Sequence, residues 1–224
     1  MRLPVKEIFA TVQGEGSATG SPAVFLRLSA CNMWSGREDM RDKGTGVCSQ
    51  WCDTEFYGGK WTEIDEITER IMTASFGWRG PVVVISGGEP CLWLRKPEGE
   101  LLVERLKCAN ISVHVETNGS IAADVLKVVD HVTVSPKALK KPIGDDPLAH
   151  VVVRSGTDLK VVMPQWRWGE ILEMQEWGFK HKFFQPLDTR CEQTNKDHLT
   201  RCIHLAKETG WRLSLQTHKL VGWP

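Results

Sequence analysis

Short apolar runs alternate along this chain with longer stretches of helical period, and that alternation limits its fold more than any other feature. The candidate strands are AVFLRLS (23–29), PVVVISG (81–87), ISVHVETN (111–118), HVTVSP (131–136), HVVVRS (150–155), DLKVVMP (158–164), KFFQPL (182–187) and WRLSLQTH (211–218). Between them lie helical patterns at EIDEITERIMTASF (63–76), PEGELLVERLKCAN (97–110), WGEILEMQEWGF (168–179) and NKDHLTRCIHLAKETG (195–210). The last is opened by a capping Asn or Thr and closed by Gly210. Strands spaced by helices imply βα units and a mostly parallel sheet, an α/β fold. With 224 residues, no internal repeat and no low-complexity linker, a single domain over 1–224 is expected.

In such sheets a ligand binds beyond the carboxyl ends of the strands. Each apolar run here hands over to a polar or glycine-bearing segment at that edge: SGGEP (86–90), ETNGS (116–120), SPK (135–137), QPLD (185–188) and QTHK (216–219). One such segment would be a turn; five in register point to a binding edge.

Three of the seven cysteines fall in one polar, glycine-punctuated loop at about 31–58, with sixteen residues between Cys31 and Cys48 and three between Cys48 and Cys52. The run lacks the paired CxxC arms of a four-ligand zinc site. The thiols therefore await a disulfide partner, belong to the core, or hold a metal centre with one position open. Lys and Arg total 28, as do Asp and Glu, so no net field draws the chain to nucleic acid or an anionic membrane. No apolar window approaches a membrane span and the start has no signal-peptide core, so a cytoplasmic location is expected. In a reducing compartment a thiol-rich loop favours metal or redox chemistry over disulfides.

The three-cysteine loop, GGEP, ETNG and SPK together resemble the radical S-adenosylmethionine enzymes. EIFATVQGEG (7–16), AVFLRLSACN (23–32), CDT (52–54), DLKVV (158–162), QPLD and WRLSLQTHKLVGWP extend the resemblance, over nearly the whole chain, to the 7-carboxy-7-deazaguanine synthase family of the queuosine pathway. The resemblance implies an incomplete (βα) barrel, a [4Fe–4S] cluster on Cys31, Cys48 and Cys52, and a fourth iron left open for S-adenosylmethionine. It implies a lyase that turns 6-carboxy-5,6,7,8-tetrahydropterin into 7-carboxy-7-deazaguanine with ring contraction and loss of ammonia. One departure stands out: CSQWC has three residues between its cysteines where relatives have two. Cys91, after GGEP, is an alternative ligand or a small hydrophobe, and the hydrophobe is favoured; Cys108, Cys191 and Cys202 are read as core or helix residues.

By the same resemblance, Gly88, Glu116, Asn118, Ser135, Pro136, Lys137, Gln185, Pro186, Leu187 and Asp188 line the cofactor. Val12, Gln13, Gly14, Glu15, Ser86, His218 and Pro224 contact the substrate. Arg27 offers a planar fork to its carboxylate, with an ordinary ion pair as the competing reading. Thr54 matches a magnesium contact. A one-electron donor such as flavodoxin or ferredoxin and a homodimer are implied, while the ten tryptophans fit either an interface or a core. Two other functions remain open: another radical S-adenosylmethionine enzyme such as a glycyl-radical activase, and a non-catalytic metal-binding protein on this scaffold.

Overall fold

The computed structural model describes the chain except residues 41–46, 49–51, 53, 142, 190 and 223–224, and the side chain of residue 38. The strands are β1 (Arg2–Val12), β2 (Pro22–Leu28), β3 (Lys60–Glu63), β4 (Val82–Gly87), β5 (Ser112–Thr117), β6 (His131–Val134), β7 (Ser155–Met163), β8 (Gly178–Pro186) and β9 (Arg212–Leu213). The helices are α1 (Ile64–Ala74), α2 (Cys91–Leu94), α3 (Pro97–Cys108), α4 (Trp168–Gln175), α5 (Glu192–Thr209) and α6 (Thr217–Leu220). One sheet runs β3-β1-β2-β4-β5-β6-β7-β8-β9. From β2 to β9 every pairing is parallel, while β1 lies antiparallel to both β2 and β3. The order does not close on itself, so the architecture is an incomplete (βα) barrel.

Strand alternation divides the residues between two faces. Val24, Leu26 and Leu28 of β2, Val83 and Ile85 of β4, and Val113 and Val115 of β5 pack on Ile67 and Ile71 of α1 and Leu102 and Leu106 of α3. A second cluster sets Val134 of β6, Leu159 and Val161 of β7 and Phe184 of β8 against Ile171 and Met174 of α4 and Cys202 of α5. Burying one such aliphatic contributes roughly 1.5–3 kcal/mol, so these stripes anchor the helices to the outer face. The intervening residues face inward: Phe25 and Arg27, Ser86, Glu116, Ser135, Lys160 and Val162, and Gln185 share one cavity. Helix ends are conventional. α3 opens with Pro97 and acidic Glu98 and Glu100 and closes with Arg105 and Lys107, matching the helix dipole.

Four expectations need correction. HVVVRS is not a strand: the N–H groups of Val152 and Val153 donate to the Gly119 carbonyl at 2.8 and 3.0 Å, so the turn after β5 takes the bonds a ladder would use. WRLSLQTH holds only the two-residue β9; after the Ser214 N–H donates to the Phe184 carbonyl, the chain leaves the sheet and turns into α6. The helix at 168 ends at Gln175, and Gly178 already begins β8. α5 starts at Glu192, not Asn195, with Cys191 at its N-cap, because the Asn195 side chain bonds Thr189 and Asp188; Gly210 does close it, in the left-handed conformation. β1, β3 and α2 were not anticipated. β1 hides because Lys6 and Glu7 interrupt its apolar alternation, as an antiparallel strand near the sheet's margin permits.

Candidate active site

A cavity of about 500 Å³ opens at the carboxyl ends of the parallel strands. Cys31, Cys48 and Cys52 all line it, each half-buried and none in a disulfide. Cys31 follows β2 directly and its sulfur accepts the Met33 N–H at 3.4 Å. Burial pushes its thiol pKa up, against backbone N–H groups of Met33 and Trp34 that pull it down. Cys48 is held from two sides: it forms an antiparallel bridge with Leu139, and the neighbouring Val47 donates its N–H to the Met33 carbonyl at 2.9 Å. The thiol of Cys52 donates to the Thr54 carbonyl at 3.8 Å. Cys91 does not join them. It is buried in the core cluster of β4 and α3, and its pKa is driven far upward, first by burial and then by Glu89.

Among the described residues no three His, Cys, Asp or Glu side chains gather at the spacing of a single metal ion. Three soft thiols on one cavity wall fit a polynuclear cluster instead, which takes one thiolate per iron and leaves a fourth iron to an outside ligand. The donor set therefore suits a [4Fe–4S] group.

The turn after β4 braces this wall. Glu89 is fully buried and accepts from the Cys91 N–H at 2.8 Å, the Thr117 hydroxyl at 2.7 Å and the Asn118 N–H at 2.7 Å, which ties GGEP to ETNG. Burial pushes its pKa up against these three donors. A side chain at Gly88 would place Cβ 2.2 Å from the Ala30 carbonyl and 2.8 Å from Cys31 Cβ. Gly88 thus makes room for the backbone that carries Cys31, and it also borders the cavity. Asn118 Nδ2 donates to Asn32 at 3.1 Å, joining the end of β5 to the cysteine loop.

The cavity lining is otherwise largely polar. Gln13 donates to Glu116 at 2.9 Å and accepts the Glu15 N–H at 3.1 Å. Glu15 pairs with Lys160 and accepts from Gln185 at 3.1 Å and Gln216 at 2.9 Å. Ser135 accepts from Lys137 at 2.9 Å. Asp188 accepts from Asn195 and from Lys219, both at 2.8 Å. Arg27 Nε sits 2.7 Å from Glu7 across β1 and β2, without hydrogen-bond alignment, and the side chain also lines the cavity. Ser86, His218, Thr54, Pro186 and Leu187 line it too. Gly14 stands behind His218, where a Cβ would come within 1.9 Å of Nδ1. Val12 ends β1 in register with Pro22, and Pro136 is buried; neither is on the cavity wall. Pro224 lies outside the described residues.

Lys160, Val162, Trp34 and Phe56 also line the cavity and were not singled out from sequence, while Gln216 and Lys219 line it as part of the QTHK segment expected at the binding edge. Lys160 did leave a signal: with Asp158 it places charges at alternate positions of the otherwise apolar run DLKVVM.

An open parallel sheet with helices on its outer face and three cysteines above the carboxyl ends of its strands defines a radical S-adenosylmethionine enzyme. Over the full length of both chains, the protein is 39% identical to a 7-carboxy-7-deazaguanine synthase of Burkholderia multivorans and 37% identical to one of Caulobacter vibrioides. A crystal structure of QueE from Escherichia coli superposes with a TM-score of 0.67 at 26% identity, covering 96% of this chain and 94% of that one. No family model matches the chain. The chain belongs to the 7-carboxy-7-deazaguanine synthase family.

Proposed function

We propose that the protein converts 6-carboxy-5,6,7,8-tetrahydropterin to 7-carboxy-7-deazaguanine, with ring contraction and loss of ammonia, in queuosine and related 7-deazapurine biosynthesis. The observation that carries this reading is a single cavity lined by three thiols together with charged and amide groups. When bound, the cluster and S-adenosylmethionine supply the one-electron chemistry. The protein's own groups bind, orient and exclude water.

In this reading Arg27 takes the substrate carboxylate through its guanidinium fork, with Glu7 beside Nε. Gln13, Glu15 and the backbone of Val12 and Gly14 meet the pterin edge, where the Glu15 carboxylate suits N–H donors; Ser86 and His218 complete the contact and Pro224 is assigned to it as well. Gly88, Glu116, Asn118, Ser135, Pro136, Lys137 and Gln185 to Asp188 hold the cofactor. A magnesium ion at the Thr54 hydroxyl, a flavodoxin or ferredoxin as donor, a homodimer, a single domain and a cytoplasmic setting complete the proposal.

The test is turnover by anaerobically reconstituted, reduced protein offered either the carboxylated pterin or tetrahydropterin without the carboxyl group. The expected result is 7-carboxy-7-deazaguanine with an equal amount of ammonia from the first and no product from the second. Cleavage of S-adenosylmethionine without conversion of the pterin would overturn the assignment in favour of another radical S-adenosylmethionine reaction.

A further inference from the structure

β7 carries two charged side chains, Asp158 and Lys160, two residues apart and hence on the same inward face. Both are nearly inaccessible to water, with side-chain exposures of 1% and 8%. Each grips the segment after β1. Asp158 accepts from the Ser17 N–H and from the Ser17 hydroxyl, both at 2.7 Å, while Lys160 pairs with Glu15. The fit is close: a Cβ on Gly16 would lie 2.5 Å from Asp158 Oδ2.

A buried lysine and its carboxylate add little net stability, because desolvation cancels most of the attraction; an apolar pair of similar size would hold the fold as well. What the pair fixes is a charge in a place. Lys160 engages Oε2 of Glu15, and Gln185 and Gln216 donate to Oε1, so both oxygens are held at the cavity wall. Gln216 belongs to the segment just before α6, and the next residue donates its N–H to the Gly14 carbonyl at 3.0 Å. The C-terminal segment thus seats on the turn that Lys160 fastens.

We propose that Lys160 is a positioning residue of the substrate site: it keeps Glu15 ionised and oriented so that this carboxylate accepts N–H donors of the bound pterin. The proposal rests on Glu15 as a substrate contact. Lys160 acts through Glu15.

Without Lys160, Glu15 would be a carboxylate with low solvent access that has lost its paired cation, and its proton affinity would rise. The other ionisable groups joined to this turn or its neighbours are Glu116 through Gln13, Asp158 with His131 at 3.3 Å, and His218 and Lys219 on α6. All are retained in the variants below. KM and the equilibrium dissociation constant for 6-carboxy-5,6,7,8-tetrahydropterin are measured from pH 6 to 8.5 on reconstituted protein, alongside iron content and S-adenosylmethionine binding. Lys160→Met should weaken pterin binding by about tenfold more at the acid end than at the alkaline end, as protonation removes the acceptor. Iron content and cofactor binding should hold, and Lys160→Arg should restore the wild-type pH profile. Glu15→Gln should bind the pterin weakly at every pH, and adding Lys160→Met to it should change nothing further, as expected of residues acting in series. Pterin binding by Lys160→Met that follows wild type across the range, or a double variant clearly weaker than Glu15→Gln alone, would overturn the proposal. Should the single Lys160 variant not fold, the double variant, which leaves no unpaired buried charge, still decides. Unchanged binding in Glu15→Gln would instead remove Glu15 from the substrate site.

Discussion

His114 and His131 stack across β5 and β6 with ring centroids 4.7 Å apart, further from the cavity mouth than Glu116, and His131 Nε2 meets Asp158 at 3.3 Å. Burial, reinforced by His131, pushes the His114 pKa down to about 4. Asp158 moves down as well: burial alone would raise it, but hydrogen bonds from His131 and Ser17 outweigh that. These shifts have different consequences for stability. The folded state keeps His114 neutral while the unfolded chain takes up a proton near the ordinary value of 6.5, so stability is lost as pH falls from 6.5 toward 4. The Asp158 contribution is present above the ordinary aspartate value and is lost only as pH falls below it, through the depressed one. We predict that urea denaturation at pH 7 and pH 5 shows wild type losing on the order of 1 kcal/mol, a figure reduced for the partial exposure of His114. His114→Gln should lose markedly less over the same interval, and an identical loss in the variant would assign the acid sensitivity elsewhere.

At the scale of elements, the cysteine loop is set by neighbours distant in sequence. The turn after β4 reaches the start of the loop through the Glu89 N–H to the Ala30 carbonyl at 2.9 Å, and only a glycine at 88 lets the two backbones come that close. Gly88→Ala is therefore predicted to displace Cys31 and leave the reconstituted protein with most of its iron missing, while far-ultraviolet circular dichroism stays close to wild type. Full iron content in that variant would show that the loop adjusts freely. Such contacts explain what the sequence could and could not reveal about elements. Helices α1 and α3 carry their own period and charge pattern, and both were legible within two residues of their ends. HVVVRS has a strand's composition, yet whether its N–H groups join a ladder depends on Gly119, more than thirty residues away. The final segment likewise reads as a strand until the 13–16 turn draws it out of the sheet.

Across the whole molecule, most of the cavity was legible because a parallel sheet delivers the residue after each strand to one edge, so SGGEP, ETNGS, SPK and QPLD needed only their order in the chain. Residues on the strands themselves were harder to see. Lys160 and Val162 line the cavity because β7 turns alternate residues inward; Asp158 and Lys160 mark that face by their charge, whereas nothing local distinguishes Val162 from the packed residues beside it. The Glu15 and Gln216 contact joins residues near opposite ends of the chain and follows only from the assembled fold. We propose that Cys31, Cys48 and Cys52 hold one cluster with an open iron despite the lengthened CSQWC spacing. Electron paramagnetic resonance of the anaerobically reconstituted, reduced protein, with and without S-adenosylmethionine and with iron counted per chain, tests it most directly. We predict about four irons per chain and a [4Fe–4S]⁺ signal that changes when S-adenosylmethionine is added, both retained in Cys91→Ala and both lost in Cys48→Ala. A signal indifferent to S-adenosylmethionine, or one that survives in Cys48→Ala and disappears in Cys91→Ala, would contradict it.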